Sequence, residues 1–136
     1  MTKSLSKITY THAIGRRKSA IASIKLFSGK AGSMINGITL EKYFPGSNFE
    51  IRFQKPFVIT DTLGKYYYSA KVSGGGKSGQ LDALVLAISR ALKKIDIAFG
   101  ATLRNAGLMT VDSRVRQRRN IGTGGKARRQ KQSPKR

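Results

Sequence analysis

Apolar and polar positions alternate through the first third of the chain. Ile8, Tyr10, His12 and Ile14 interleave with Thr9, Thr11 and Ala13, a period-two pattern that predicts a strand. Gly15 and the run Arg16-Arg17-Lys18 interrupt it. Alternation resumes with Ala20, Ala22, Ile24 and Leu26 on one face of a second strand, with Ile21, Ser23, Lys25 and Phe27 on the other. Ser28 to Gly32 reads as a glycine-bearing turn, and Ser33 to Ile38 as a short returning strand that closes a hairpin. Thr39 is placed to cap a short helix over Leu40 to Phe44, which Pro45-Gly46 ends. Phe49 to Thr60 predicts mixed extended and irregular structure, because Pro56 weakens any central strand there. Tyr66 to Val72 is rich in strand formers.

The period then changes. Leu81, Leu84, Val85, Ile88, Ala91, Leu92 and Ile95 fall on one helical stripe suited to packing on a sheet, with Arg90, Lys93 and Lys94 opposite. A second, shorter helix is predicted from about Ile97 to Asn105, with Gly107 at its C′ position and Leu108 as the hydrophobic follower. Beyond it the apolar pattern fades. Val111 to Arg136 holds ten basic residues against Asp112 alone, a net +9, and its large apolar residues are Val111, Val115 and Ile121. Ordering a backbone costs roughly 1–2 kcal/mol per residue, so this stretch is predicted to be disordered in isolation and ordered on a polyanion. The chain therefore divides into a globular part, 1–110, and a basic tail, 111–136.

Composition sharpens that division. Lys and Arg number 27 against six acids, a formal charge of +21, so +12 remains on the globular part. A basic body and a basic tail point to nucleic acid. No apolar run approaches the ~20 residues of a membrane-spanning helix. There is no cysteine and His12 is the single histidine, which excludes thiolate chemistry and a His-based metal cluster within one chain. His12 itself is expected to be a packed strand residue. The six carboxylates are scattered without a paired arrangement, so no acid/base pair, cofactor or enzymatic role is expected. The start, MTKSLSKITY, has no apolar signal core, and the protein is expected to work in the compartment where it is made.

Three groups could carry chemistry. Gly74, Gly76 and Gly79 fit G-x-G-x-x-G between a strand and a helix, but no apolar strand follows at the spacing a dinucleotide fold needs, and Lys71 stands where a P-loop has its first glycine. The reading preferred is a turn in which Gly74, Gly75 and Gly76 bare backbone N–H groups to an RNA phosphate beside Lys77. Arg16, Arg17 and Lys18, as consecutive strand charges, project to both faces and suit phosphate contact. Tyr66, Tyr67 and Tyr68 are expected to serve the core and an edge, base stacking being the less favoured use. A nucleotide-dependent enzyme and a DNA-compacting protein are the alternative functions.

Gly74-Gly75-Gly76-x-x-Gly79-Gln80-x-x-Ala83, continuing to Ser89-Arg90-Ala91-Leu92, resembles the small-subunit ribosomal protein nine family. Gly15-Arg16-Arg17-Lys18-Ser19, Leu40-Glu41-x-Tyr43-Phe44, Arg104-x-Ala106-Gly107-Leu108 and Lys126-Ala127-Arg128-Arg129 are similar to further motifs of that family, as is the terminal Lys135-Arg136. Ala13, Ser23, Val111, Gln117 and the Ser133-Pro134 pair depart from its usual residues. The resemblance implies an α+β fold, a mixed four-stranded sheet with helices packed on one face and an extended basic C-terminal tail. It implies a non-enzymatic constituent of the ribosome that binds small-subunit ribosomal RNA in the head, the 3′ major domain, beside neighbouring head proteins. The ribosomal RNA contacts implied are Arg16, Arg17, Lys18, Gly74, Gly75, Gly76, Lys77, Arg104, Arg114, Arg116, Arg118, Arg119, Lys126, Arg128, Arg129 and Lys131. Lys135 and Arg136 are implied to touch the anticodon arm of peptidyl-site tRNA. The implied location is the ribosome of a bacterial cytoplasm, a plastid stroma or a mitochondrial matrix.

Overall fold

The computed structural model describes residues 9–119 and residue 121. The alternation of the first third becomes an antiparallel hairpin, β1 (Thr11–Arg17) and β2 (Ala20–Ser28). β1 runs unbroken through Gly15, contrary to the interruption read from the sequence. The expected start of that strand at Ile8 lies outside the described residues. The short segment after the glycine turn does not return along β2. It forms its own hairpin, β3 (Met34–Ile35) and β4 (Ile38–Thr39), around Asn36-Gly37. Both turn residues have positive φ, 51° and 78°, as a two-residue hairpin requires.

β5 (Tyr66–Ser73) lies antiparallel to β2 and parallel to β3, giving a five-stranded mixed sheet in the order β1-β2-β5-β3-β4. The extra strand beyond the expected four comes from the split at Asn36-Gly37. The Asn36 side chain continues the ladder past β3. Its Nδ2 donates to the Val72 carbonyl at 2.9 Å and its Oδ1 accepts from the Val72 N–H at 3.0 Å.

Among the described residues there are four helices: α1 (Leu40–Tyr43), α2 (Ser47–Ile59), α3 (Lys77–Ile95) and α4 (Ala98–Asn105). α2 overturns the expectation of irregular structure over Phe49 to Thr60. Phe49, Phe53 and Phe57 recur every four residues and align on one helical face, and Phe53, Pro56 and Phe57 are buried. Proline inside a helix costs about 3 kcal/mol and leaves the Arg52 carbonyl without its usual donor. Burying aromatic side chains at about 1.5–3 kcal/mol each offsets this.

α3 lies on the sheet. Its Leu81, Leu84, Ile88 and Leu92 are fully buried, and Ala83, Ala87 and Ala91 form a second, small-residue stripe. The buried sheet face mixes the small Ala13, Ala20, Ala22 and Ala70 with the larger Ile24, Leu26, Tyr68 and Val72. Gly15 is the closest point. A methyl carbon there would sit 2.0 Å from the Ala83 carbonyl oxygen and 2.6 Å from the Ala87 nitrogen, so only glycine allows α3 to lie this near β1. α4 ends as predicted, with Gly107 at φ 74° and the Leu108 N–H bonded to the Leu103 carbonyl at 3.0 Å. The helices cover one sheet face, and among the described residues no element covers the other face of β1, β2 and β5. His12 lies on that open side, exposed and 2.9 Å from Ser23 Oγ, rather than packed in the core.

Candidate nucleic-acid interface

Three segments meet at the tip of the β1–β2 hairpin. The hairpin loop is Lys18-Ser19, with Lys18 at φ 53°. The glycine run packs directly on it. A side chain at Gly74 would come within 2.4 Å of the Ser19 carbonyl oxygen, and one at Gly75 within 3.3 Å of Ala20 Cβ. Both residues hold positive φ, 77° and 60°, so two separate demands select glycine. Gly76 takes the N-cap position of α3 and has open space around it.

The third segment is the chain leaving α4. Asp112 bridges to Arg17 in parallel, and its carbonyl accepts from the Lys18 N–H at 3.3 Å. Arg17 pairs with Asp82 of α3 at 2.7 Å and with Asp112 at 3.5 Å, while Arg52 of α2 meets Asp82 from the other side. The Asp112 carboxylate also accepts from Arg114 Nε at 3.0 Å, the second guanidinium nitrogen at 2.9 Å and the Arg114 N–H at 3.2 Å. The side-chain bonds from Arg114, then its backbone N–H, hold the Asp112 pKa well below the ordinary carboxylate range. Two of the six carboxylates are thus engaged in fixing where and how the basic segment leaves the body.

A cleft of about 590 Å³ opens where α3, α4 and the exit segment meet. It is lined by Arg90, Lys93, Lys94, Arg104, Met109 and Thr110, four cations with no carboxylate. Gly100 of α4 helps build it. The Lys93 stem crosses Gly100, with methylenes 3.2 Å from where a Cβ would be. Arg90 donates to the Ile14 carbonyl at 2.8 Å and Lys94 to the His12 carbonyl at 2.6 Å. These are outward carbonyls of the edge strand β1, so the helix blunts that edge with positive charge. Lys94, Arg90, Arg17 and Lys18 therefore follow one strand from end to end. Among the described residues, Arg90, Lys93, Lys94 and Arg104 have no salt-bridge partner.

The chain matches the family model described as ribosomal protein S9/S16 over residues 15–136. It belongs to the ribosomal protein S9/S16 family. The match begins at Gly15, the residue that seats β1 against α3, and runs through the basic tail. As a member of the S9/S16 family the chain is a structural constituent of the ribosome and is located there.

Within this S9/S16 chain the residues singled out from sequence take different positions. Arg16 and Lys18 are exposed, whereas Arg17 is partly covered by its two aspartates. Lys77 turns back on the body. Its Nζ lies 3.5 Å above the Tyr43 ring centroid and 3.1 Å from the Tyr43 carbonyl, with Tyr43 Oη donating in turn to Gln80 Oε1 at 2.7 Å. Arg104 lines the cleft, and Arg114 is tied to Asp112. Arg116, Arg118 and Arg119 are exposed on a segment without helix or strand. Lys126, Arg128, Arg129, Lys131, Lys135 and Arg136 lie outside the described residues. Arg90, Lys93 and Lys94 were not among the sequence-predicted contacts. Their spacing of three and four on one helix face was the available signal.

Proposed function

We propose that this protein binds small-subunit ribosomal RNA in the head, through the basic rim along β1 and the cleft beneath α4. Residues 1–110 act as the folded anchor, and residues 111–136 order on RNA, with Lys135 and Arg136 reaching the anticodon arm of peptidyl-site tRNA. The observation that carries this reading is the cleft lined by four cations and no carboxylate, two of which, Arg90 and Lys94, reach on to the edge of β1. Such a surface is self-repelling until phosphates occupy it. The acids nearest the exit instead hold Arg17 and Arg114, which directs the basic segment outward from a fixed point. The exposed N-terminus of α3 behind Gly76 adds backbone donors on the same side of the hairpin tip. Neighbouring head proteins complete the surroundings of the folded part.

Affinity for a small-subunit head RNA fragment, measured against salt, tests this. Deleting Lys126 to Arg136 removes six basic residues. At a slope of 0.7–0.9 per phosphate contact, the salt dependence should fall by roughly 4–5 if all six engage phosphate. An unchanged slope refutes the role of the tail.

A further inference from the structure

The open face of β1, β2 and β5 carries four cross-strand rows. Continuing the β1–β2 register by one residue sets Tyr10 beside Phe27, and Phe27 pairs with Tyr67. The following rows are His12, Lys25 and Ser69; Ile14, Ser23 and Lys71; and Arg16, Ile21 and Ser73. The first row is wholly aromatic. Phe27 and Tyr67 stack with centroids 5.1 Å apart and planes 15° apart, and Tyr10 is tilted against Phe27 at 5.7 Å. Lys25 Nζ lies 5.0 Å from the Tyr10 centroid. Each of the other three rows supplies one lysine or arginine, and β1, β2 and β5 contain no acid. Rows succeed one another at about 6.8 Å along the strands. A hollow of about 450 Å³ opens at the strand ends next to this row; Tyr10, Phe27 and Tyr67 form its rim on the open side, and Thr11, Leu26, Tyr66 and Ile95 of α3 line it from the helix side.

We infer that this face is a stacking platform for two or three unpaired RNA nucleotides. One base stacks on the row of Tyr10, Phe27 and Tyr67, and the following phosphates run over Lys25, Lys71 and Arg16. The inference rests on the RNA-binding reading above and adds a second surface, on the opposite side of the sheet from α3, with a different substrate form. Charge selects the occupant. An apolar protein face would have to desolvate three cations without pairing them, whereas a strand of RNA presents stackable bases and phosphates together.

The test uses the full chain with two probes, an eight-nucleotide oligouridine and a twelve-base-pair RNA duplex. Tyr67→Leu keeps apolar packing and removes the π face. Tyr10→Leu acts ahead of β1, where folding is not at stake. Loss of a stacked base should weaken oligouridine binding about tenfold or more and leave duplex binding unchanged. Arg90→Gln with Lys93→Gln should do the reverse. Tyrosine fluorescence should be quenched by oligouridine in the wild type, and a 4-thiouridine probe should crosslink to peptides containing Phe27 or Tyr67. Equal oligouridine affinity in wild type and both tyrosine variants would overturn the platform, leaving the face to a protein neighbour while sparing the rim. Failure of the wild type to bind either probe would overturn both readings.

Discussion

Replacing Gly15 with alanine adds one methyl group at the point where β1 meets α3. The new carbon would lie 2.0 Å from the Ala83 carbonyl oxygen, 2.6 Å from the Ala87 nitrogen and 3.1 Å from the Ala83 carbonyl carbon. Non-bonded heavy atoms prefer separations of about 3.5–4.0 Å, so the strand and helix must separate locally by roughly 1.5 Å. All three obstacles are backbone, and no rotamer change can clear them. Overpacking a core costs about 1–3 kcal/mol, and a backbone obstruction belongs at the upper end. A loss of about 3 kcal/mol lowers the midpoint of a domain this size by roughly 12–24 °C. The displacement also moves Asp82, one residue before Ala83, away from Arg17 and loosens the hairpin tip. Thermal and urea denaturation followed by far-ultraviolet circular dichroism measure the effect. Ile14→Ala, on the open face, is the control and should change stability by less than about 1 kcal/mol. A Gly15→Ala protein within about 0.5 kcal/mol of wild type would refute the close approach.

Tyr68→Phe should stabilise the protein by about 1 kcal/mol in urea denaturation. The Tyr68 hydroxyl is buried without a partner among the described residues, and an unmade hydrogen bond there costs about 1–3 kcal/mol. The Asp112 carboxyl should titrate well below the ordinary value of about 3.9, because the charged form accepts bonds from Arg114. Its stabilising contribution is full above about pH 4 and is lost as pH falls through the lowered folded value. Carboxyl carbon shifts in NMR report this, and a midpoint near 4 would contradict the anchoring. Lys93→Gln with Arg104→Gln should weaken RNA binding across sequences and lower the salt slope by roughly 1.4–1.8. A change confined to one RNA sequence would instead mark these residues as base readers.

Much of the fold was legible because burial imposes a period. The stripe from Leu81 to Leu92 and the end of α4 at Gly107 follow from side-chain geometry within one element. The misread segments turn on partners distant in sequence. Pro56 argued against regular structure, but the ring is buried beside Phe53 and Phe57 and the helix survives its missing donor. Asn36-Gly37 splits the segment read as one returning strand into its own hairpin, and β3 of that hairpin pairs with β5, more than thirty positions away. Gly15 looked like punctuation from within its strand, because the atoms that require glycine there belong to α3. The same limit applied to the site. Clustered charges were visible as Arg16-Arg17-Lys18, whereas the cleft is assembled from α3, α4 and the exit segment.

The division of labour among charges follows from scarcity. With six acids against 27 bases, the cations outnumber the acids more than fourfold. Two acids, Asp82 and Asp112, sit at the one junction where α2, α3, the hairpin tip and the departing chain must be held together. Exposed ion pairs contribute little singly, about 0–1 kcal/mol, so this network is poorly suited to stabilising the body as a whole. Its effect is directional. Arg17, oriented by Asp82, holds Asp112, and Asp112 holds Arg114, so the first arginine of the basic segment starts from a defined position. Placing either acid elsewhere on the rim would neutralise a cation in the cleft and release the segment at once. That coupling explains why the aspartates lie at the root of the tail while the four cations of the cleft line it without a carboxylate.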